Sequence, residues 1–339
     1  MNFEPPYKNL SFARITAKFW VTKSFTLPPF TGSIFHGVLG NALKAVSYDQ
    51  KRRACHRCAC QQECKYIDIF TYLFKTPSDH PYVWEQGNTV RPNQKTFPNP
   101  IVLDPPQGGT YQEGDIFIIE AVIIGTALVF INYLACSLRL FTQASFGNIE
   151  NCLILDSITD QPDNETSSPA LIYRGIDDHF TGTVPIIYNF YHLSEEIFKR
   201  VDVKRSDGLL RIQFLTPFNL QENNKPRKSC DFKVFIARLL DRIELLSVHS
   251  PLDEPIDKNA MLNAASQIET EDNTKWYNHW KHNSSGQNEL MILKGLLGDI
   301  VCSGNLIPFL PYIKIGEFLH VGKQTTFGLG KYRVMGSQM

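Results

Sequence analysis

The chain has 339 residues, 43% of them hydrophobic and 20% charged, which supplies apolar material for two buried cores and excludes wholesale disorder. Its 34 basic residues cancel its 34 acidic ones, so no global positive field draws in polyanions, and a nucleic-acid site has to be a local patch. That argues against a general nucleic-acid coat and leaves selective binding open. No secretory leader is expected in a start that carries Glu4, Lys8, Arg14 and Lys18, and the cysteine usage fits the reducing cytoplasm.

In chain order, the first predicted element is an apolar strand over 10–22, followed by Phe25–Phe30 with its two prolines and a helix over 33–48. In that helix Phe35, Val38, Leu39, Ala42, Leu43 and Val46 recur at helical spacing and predict the buried face. His36, Gly40, Lys44 and Tyr48 recur every fourth residue and share another face. Gly37 and Gly40 each cost about 1 kcal/mol relative to alanine in a helix, a cost that makes sense where something must approach the backbone beside His36. The alternative is an imidazole that packs between helices.

A stretch over 51–114 rich in Pro, Asn, Asp and Lys reads as an insertion, with its Cys-rich part opening at about residue 50. It carries Cys55, Cys58, Cys60 and Cys64, and four thiols that close in a cytoplasmic protein fit a structural zinc site. A free-thiol loop is the alternative. A buried strand over 115–124 and a core helix over 126–140 explain the apolar run 116–141 better than a membrane span, because Glu120, Gly125 and Asn132 interrupt it. After a connector over 161–207 come a strand over 209–215, a helix over 231–248, strands around 290–303, a helix from about Asn305 and a last strand over 331–334. The stretch 250–288 reads as a second insertion.

Two pairs of local similarities recur at nearly equal offsets. A strand, a Pro-Phe mark and an amphipathic helix occur at Phe30 and again at Phe218, and Gln143–Gly147 matches Gln324–Gly328, each before a short strand. Together they predict a duplicated unit. The order strand, helix, strands, helix, strand in each half gives an α+β fold of two tandem ferredoxin-like (βαββαβ, RRM-like) domains with loop insertions. The domains are expected over 1–160 and 208–339.

The run from His320 to Arg333 is the strongest motif. Gly322, Gly328 and Gly330 let backbone amides approach an anion closely, and Lys323, Lys331 and Arg333 supply charge. It is not a nucleotide-hydrolase phosphate loop, because five residues separate Gly316 from Gly322 and Gln324 stands where a magnesium-binding Ser or Thr belongs. The alternative is a glycine-rich turn into a terminal strand.

With Phe30–Gly37, Cys64–Phe70, Phe214–Phe218, Arg238 and Arg242 on one helix, Gly295–Gly298 and the closing Gly328–Gly330, the chain resembles the RAMP superfamily of CRISPR-associated proteins. Within it the resemblance is to the endoribonucleases that process precursor CRISPR RNA. It implies two tandem ferredoxin-like domains, a glycine-rich loop that contacts RNA, and metal-independent cleavage within the repeat. Asn148 and Asn151 depart from the pattern, so the loop of the first half reads as structural.

On that footing the expected function is a cytoplasmic, repeat-specific endoribonuclease that leaves 2′,3′-cyclic phosphate and 5′-hydroxyl ends and needs no cofactor for catalysis. Such a cut requires a base for the 2′-hydroxyl, an acid for the 5′-oxygen and a cation for the charged transition state. His36, in the first helix where the family commonly keeps its catalytic histidine, and Lys44 are the catalytic candidates. His320, Gly322, Lys323, Gly328, Gly330, Lys331 and Arg333 are the RNA-binding candidates. CRISPR repeat RNA and effector-complex subunits are the expected partners, with no membrane. The competing reading is a non-catalytic RAMP subunit that holds guide RNA.

Overall fold

In the computed structural model of the chain, residues 10–47, 98–146, 149–161, 168–189, 208–222, 225–250, 256–283 and 290–336 are described. They fall into two units, one from Phe12 to Ile187 and one from Tyr188 to Met339 that also takes in Leu10 and Ser11.

The first unit opens with β1 (Ser11–Val21), β2 (Phe25–Leu27) and α1 (Gly32–Ser47). It continues with β3 (Ile101–Asp104), β4 (Gly109–Tyr111) and β5 (Ile116–Ile124). After α2 (Ile131–Arg139) come β6 (Ser145–Phe146), β7 (Ile149–Glu150), β8 (Leu153–Asp160), β9 (Leu171–Arg174) and β10 (His179–Phe180). The main sheet runs β10-β9-β8-β1-β5-β3, with β1 antiparallel to both β5 and β8. Strand β1 alternates as a half-buried strand should: Ile15, Ala17, Phe19 and Val21 face the core, and Thr16, Lys18 and Trp20 face away. Phe35, Leu39, Ala42 and Leu43 of α1 close that core together with Leu134, Ala135 and Leu138 of α2. Phe146, in the repeated Gln143 segment, stacks on Phe25 with ring centroids 5.1 Å apart.

β11 (Ile187–Asn189) ends this part of the chain. The second unit then holds β12 (Gly208–Phe218), the short ladder β13 (Gln221–Glu222) and β14 (Lys225–Pro226), α3 (Phe232–Leu246) and α4 (Lys258–Ala265). It continues through β15 (Glu269–Asp272), β16 (Lys275–Asn283) and β17 (Leu290–Gly304) to α5 (Leu310–Leu319) and β18 (Tyr332–Gly336). The sheet runs β15-β17-β12-β18, all antiparallel, and β16 pairs with β17 beyond the end of β15. Helix α3 starts where the Asp231 carboxylate accepts from the Val234 amide at 2.8 Å. It buries Phe235, Ile236, Leu239, Leu240 and Ile243 on one face.

The two units share one plan. In each, the first strand (β1 or β12) lies between β5 or β17 on one side and β8 or β18 on the other, with β3 or β15 at the edge.

Three expectations are revised. The stretches 51–114 and 250–288 are not only insertions: the first carries β3 and β4, and the second carries α4, β15 and β16. Part of the expected connector, β9 and β10, extends the first sheet. The expected helix over 126–140 is a 3-10 turn (Gly125–Phe130), α2 and a second 3-10 turn (Leu140–Gln143). This run is the one helical stretch among the described residues long and apolar enough to cross a membrane. Its Leu134, Leu138 and Phe141 are buried in the core of the first unit, where α2 packs on α1. Cys55, Cys58, Cys60 and Cys64 lie outside the described residues.

Candidate functional site

The sequence-derived residues divide between the units. His36 and Lys44 lie on α1 of the first, and the glycine-rich segment lies between α5 and β18 of the second.

Helix α1 is anchored at its start by Thr31, whose carbonyl accepts from the Phe35 amide at 3.1 Å and whose hydroxyl donates to Pro106 O at 2.6 Å. His36 follows one turn in, half-buried beside the core residues Phe35 and Leu39. Burial lowers its pKa below the usual 6.5, because the charged imidazolium loses more hydration than the neutral ring. At neutral pH the ring is therefore neutral, the form able to accept a proton. Gly37 is exposed, and a Cβ there would meet nothing within 4 Å. Packing does not require that glycine, and the backbone beside His36 stays open to approach. Lys44 sits two turns further along the same helix, and its side chain is outside what is described.

The glycine-rich segment is a loop tied to the end of β12. Five of its residues have positive φ: His320 (56°), Gly322 (93°), Gln324 (63°), Gly328 (80°) and Gly330 (75°). At Gly330 a Cβ would overlap the Val321 carbonyl oxygen, and at Gly322 it would press on the Phe218 ring at 2.9 Å. Bonds from β12 then lace the loop down. The Gly330 amide donates to Pro217 O at 3.1 Å, Val321 N to Gly330 O at 3.0 Å, and Lys323 N to Asn219 O at 3.2 Å. Thr216 Oγ1 donates to Gly328 O at 2.8 Å and accepts from Lys331 N at 2.8 Å. The Asn219 amide donates to Gln324 Oε1 at 2.9 Å. Gly328 and Gly330 thus use their own amides inside the fold, Gly328 toward Thr325 O at 3.0 Å.

What the loop offers outward is charge. Lys323 and Arg333 are exposed, and Lys331 is half-buried. The Lys323 ammonium contacts Gln221 Oε1, which holds it beside β13. Arg333 stands opposite Gln213 on β18, away from the helices, and the exposed Arg211 is its diagonal neighbour on β12. His320 is only 2% exposed and ends α5 with φ 56°, so it belongs to the framework of the loop. Thr216, Asn219 and Gln221 were not foreseen, since they lie about a hundred positions before the loop and only the sheet brings them to it. Arg242 is buried behind the loop, and desolvation pushes its guanidinium down to about 10.

Two family models match the chain: AF_1859_N, an N-terminal domain, over residues 10–183, and CRISPR-associated endoribonuclease Cas6 over residues 212–332. A search of the curated proteins finds no match. Among solved structures, one from a partial Cas6-RT-Cas1–Cas2 complex aligns over 97% of the chain at 12% identity and a TM-score of 0.58. The chain spans only 46% of that structure's length, and 29% of the corresponding chain in a second such complex. Thermus thermophilus Cas6 aligns over 96% of this chain and 99% of its own, at 12% identity and a TM-score of 0.52. A Cas6 product complex aligns over 96% and 100%, at 14% identity and a TM-score of 0.51. At these identities the likeness is one of fold.

Proposed function

Residues 212–332 match the CRISPR-associated endoribonuclease family Cas6, and from that premise we propose that the chain belongs to it and cuts precursor CRISPR RNA within the repeat, at one site and without metal. The observation that carries this reading is the family match over 212–332, which contains the whole glycine-rich loop. The shared order of elements and strands in the two units supports reading them as tandem ferredoxin-like domains.

In the proposed reaction the RNA's own 2′-oxygen attacks the adjacent phosphorus and the bond to the 5′-oxygen breaks. A 2′,3′-cyclic phosphate and a 5′-hydroxyl result. The 2′-hydroxyl proton goes to a base and the 5′-oxygen receives one from an acid. His36 is assigned the base, because its burial keeps the imidazole neutral and receptive. Lys44, on the same helix, is assigned the cation that stabilises the phosphorane charge. Lys323, Lys331 and Arg333 bind RNA phosphates, with the glycines shaping the loop that presents them.

Lys323→Ala is expected to weaken repeat-RNA binding and to lower the slope of log affinity against log salt by about one phosphate contact. Fluorescence anisotropy at several salt concentrations measures it. An unchanged slope would make the loop a structural turn only.

The partners proposed are repeat RNA and other CRISPR-associated subunits, and the compartment proposed is the cytoplasm. Cys55, Cys58, Cys60 and Cys64 are proposed to hold one structural zinc, closed to water and apart from catalysis. Metal analysis of protein purified without chelators should find about one zinc per chain, and Cys58→Ser should lose it. Metal-free protein with four titratable thiols in that cluster would remove the site.

A further inference from the structure

Arg242 occupies a place on α3 where an apolar residue is expected. Its neighbours on that helix, Leu239, Ile243 and Leu246, are fully buried, and Arg242 itself is 8% exposed. Its Nε donates to Leu319 O at 3.3 Å, and its Nη2 is buried without a partner among the described residues. No carboxylate accompanies it among the described contacts. Burying a guanidinium in this way is unfavourable, and an aliphatic side chain of similar volume is usually tolerated as well or better. That hydrogen bond and the negative end of the α5 dipole offset part of the cost.

Leu319 is the last residue of α5, and His320, at φ 56°, turns the chain into the glycine-rich loop. The far end of the loop is tied to Thr216 and Pro217. Its near end is tied by Arg242.

We propose that Arg242 is a positioning residue for RNA binding: from inside α3 it holds the terminal carbonyl of α5 and so fixes where the loop carrying Lys323 begins. The inference rests on the reading that this loop contacts RNA. It predicts that the charge serves placement of the loop and not global stability.

The test compares Arg242→Met, Arg242→Lys and Lys323→Ala in the full chain. Amide hydrogen exchange, urea unfolding and repeat-RNA affinity are measured on each. Arg242→Met is expected to leave the urea midpoint unchanged or raised. The amides of Val321, Lys323 and Gly330 should exchange on the order of tenfold faster, with α3 and β12 protected as before, and RNA affinity should fall. Arg242→Lys, which keeps a donor for Leu319 O, should restore part of both. Unchanged exchange in the loop would overturn the proposal, as would a drop in stability with exchange rising evenly through the unit. If Arg242→Met loosens the loop while neither it nor Lys323→Ala affects RNA affinity, positioning of the loop stands and its contact with RNA falls.

Discussion

His36→Ala is expected to slow repeat cleavage by roughly two to four orders of magnitude, the usual worth of a positioned base, with RNA affinity nearly unchanged. Affinity should hold because burial keeps this imidazole neutral, so the variant removes no charge from the RNA site. The pH dependence carries the same signature. With the folded pKa below 6.5, wild-type cleavage should stay level through neutral pH and fall only as the pH drops through that depressed value. Stability follows the same direction. The unfolded chain binds the proton more readily, so the contribution of a neutral His36 is complete above about 6.5 and is lost as the pH falls through the folded pKa. His36→Ala should therefore reduce the acid sensitivity of unfolding as well as the rate. Single-turnover kinetics and urea unfolding across pH would check the two, and near wild-type cutting by the variant would remove His36 from the chemistry.

Gly330→Ala should be the most damaging small substitution in the loop. A methyl group there would overlap the Val321 carbonyl oxygen, which belongs to the framework that pairs Val321 N with Gly330 O. The residue also sits at φ 75°, where L side chains are strained. Strain and backbone displacement together place the loss at roughly 3–5 kcal/mol, read as a lowered urea midpoint, and RNA binding should fall with it. Gly37→Ala is the contrasting control. It faces open space on α1, so alanine should leave stability equal or raise it by up to about 1 kcal/mol. Equal behaviour of the two variants would show that the loop does not need its left-handed glycine.

Much of the frame was legible because burial leaves a period in the sequence. Strand β1 alternates, and α1 and α3 repeat their apolar residues every three to four positions, so these elements lie within a few residues of their expected bounds. The edge strands left no such mark. In β15, Glu269, Glu271 and Asp272 are exposed and Thr270 is half-buried, its hydroxyl accepting from the Phe232 amide at 3.0 Å. Asp272 accepts from Cys230 N at 2.8 Å. A strand held by ladder bonds and polar side chains has the composition of a loop. Strand β3 escaped for a different reason: Ile101, Val102 and Leu103 are buried, but four residues inside a long polar stretch are too few to show a period.

The candidate site was legible in kind but not in construction. Glycines at 322, 328 and 330 announced an unusual backbone, and lysines beside them announced charge. That Gly328 and Gly330 commit their amides to the fold, that His320 is buried, and that Asn219 and Arg242 hold the loop are tertiary facts with no local signal.

The central claim is tested most directly by incubating the purified protein with its labelled cognate repeat RNA in EDTA. The same RNA carrying a 2′-deoxy sugar immediately 5′ of the cut is run beside it. One cut in EDTA, none in the deoxy substrate and equal binding of both is the predicted result. Cleavage that requires magnesium, or that persists in the deoxy substrate, would contradict it.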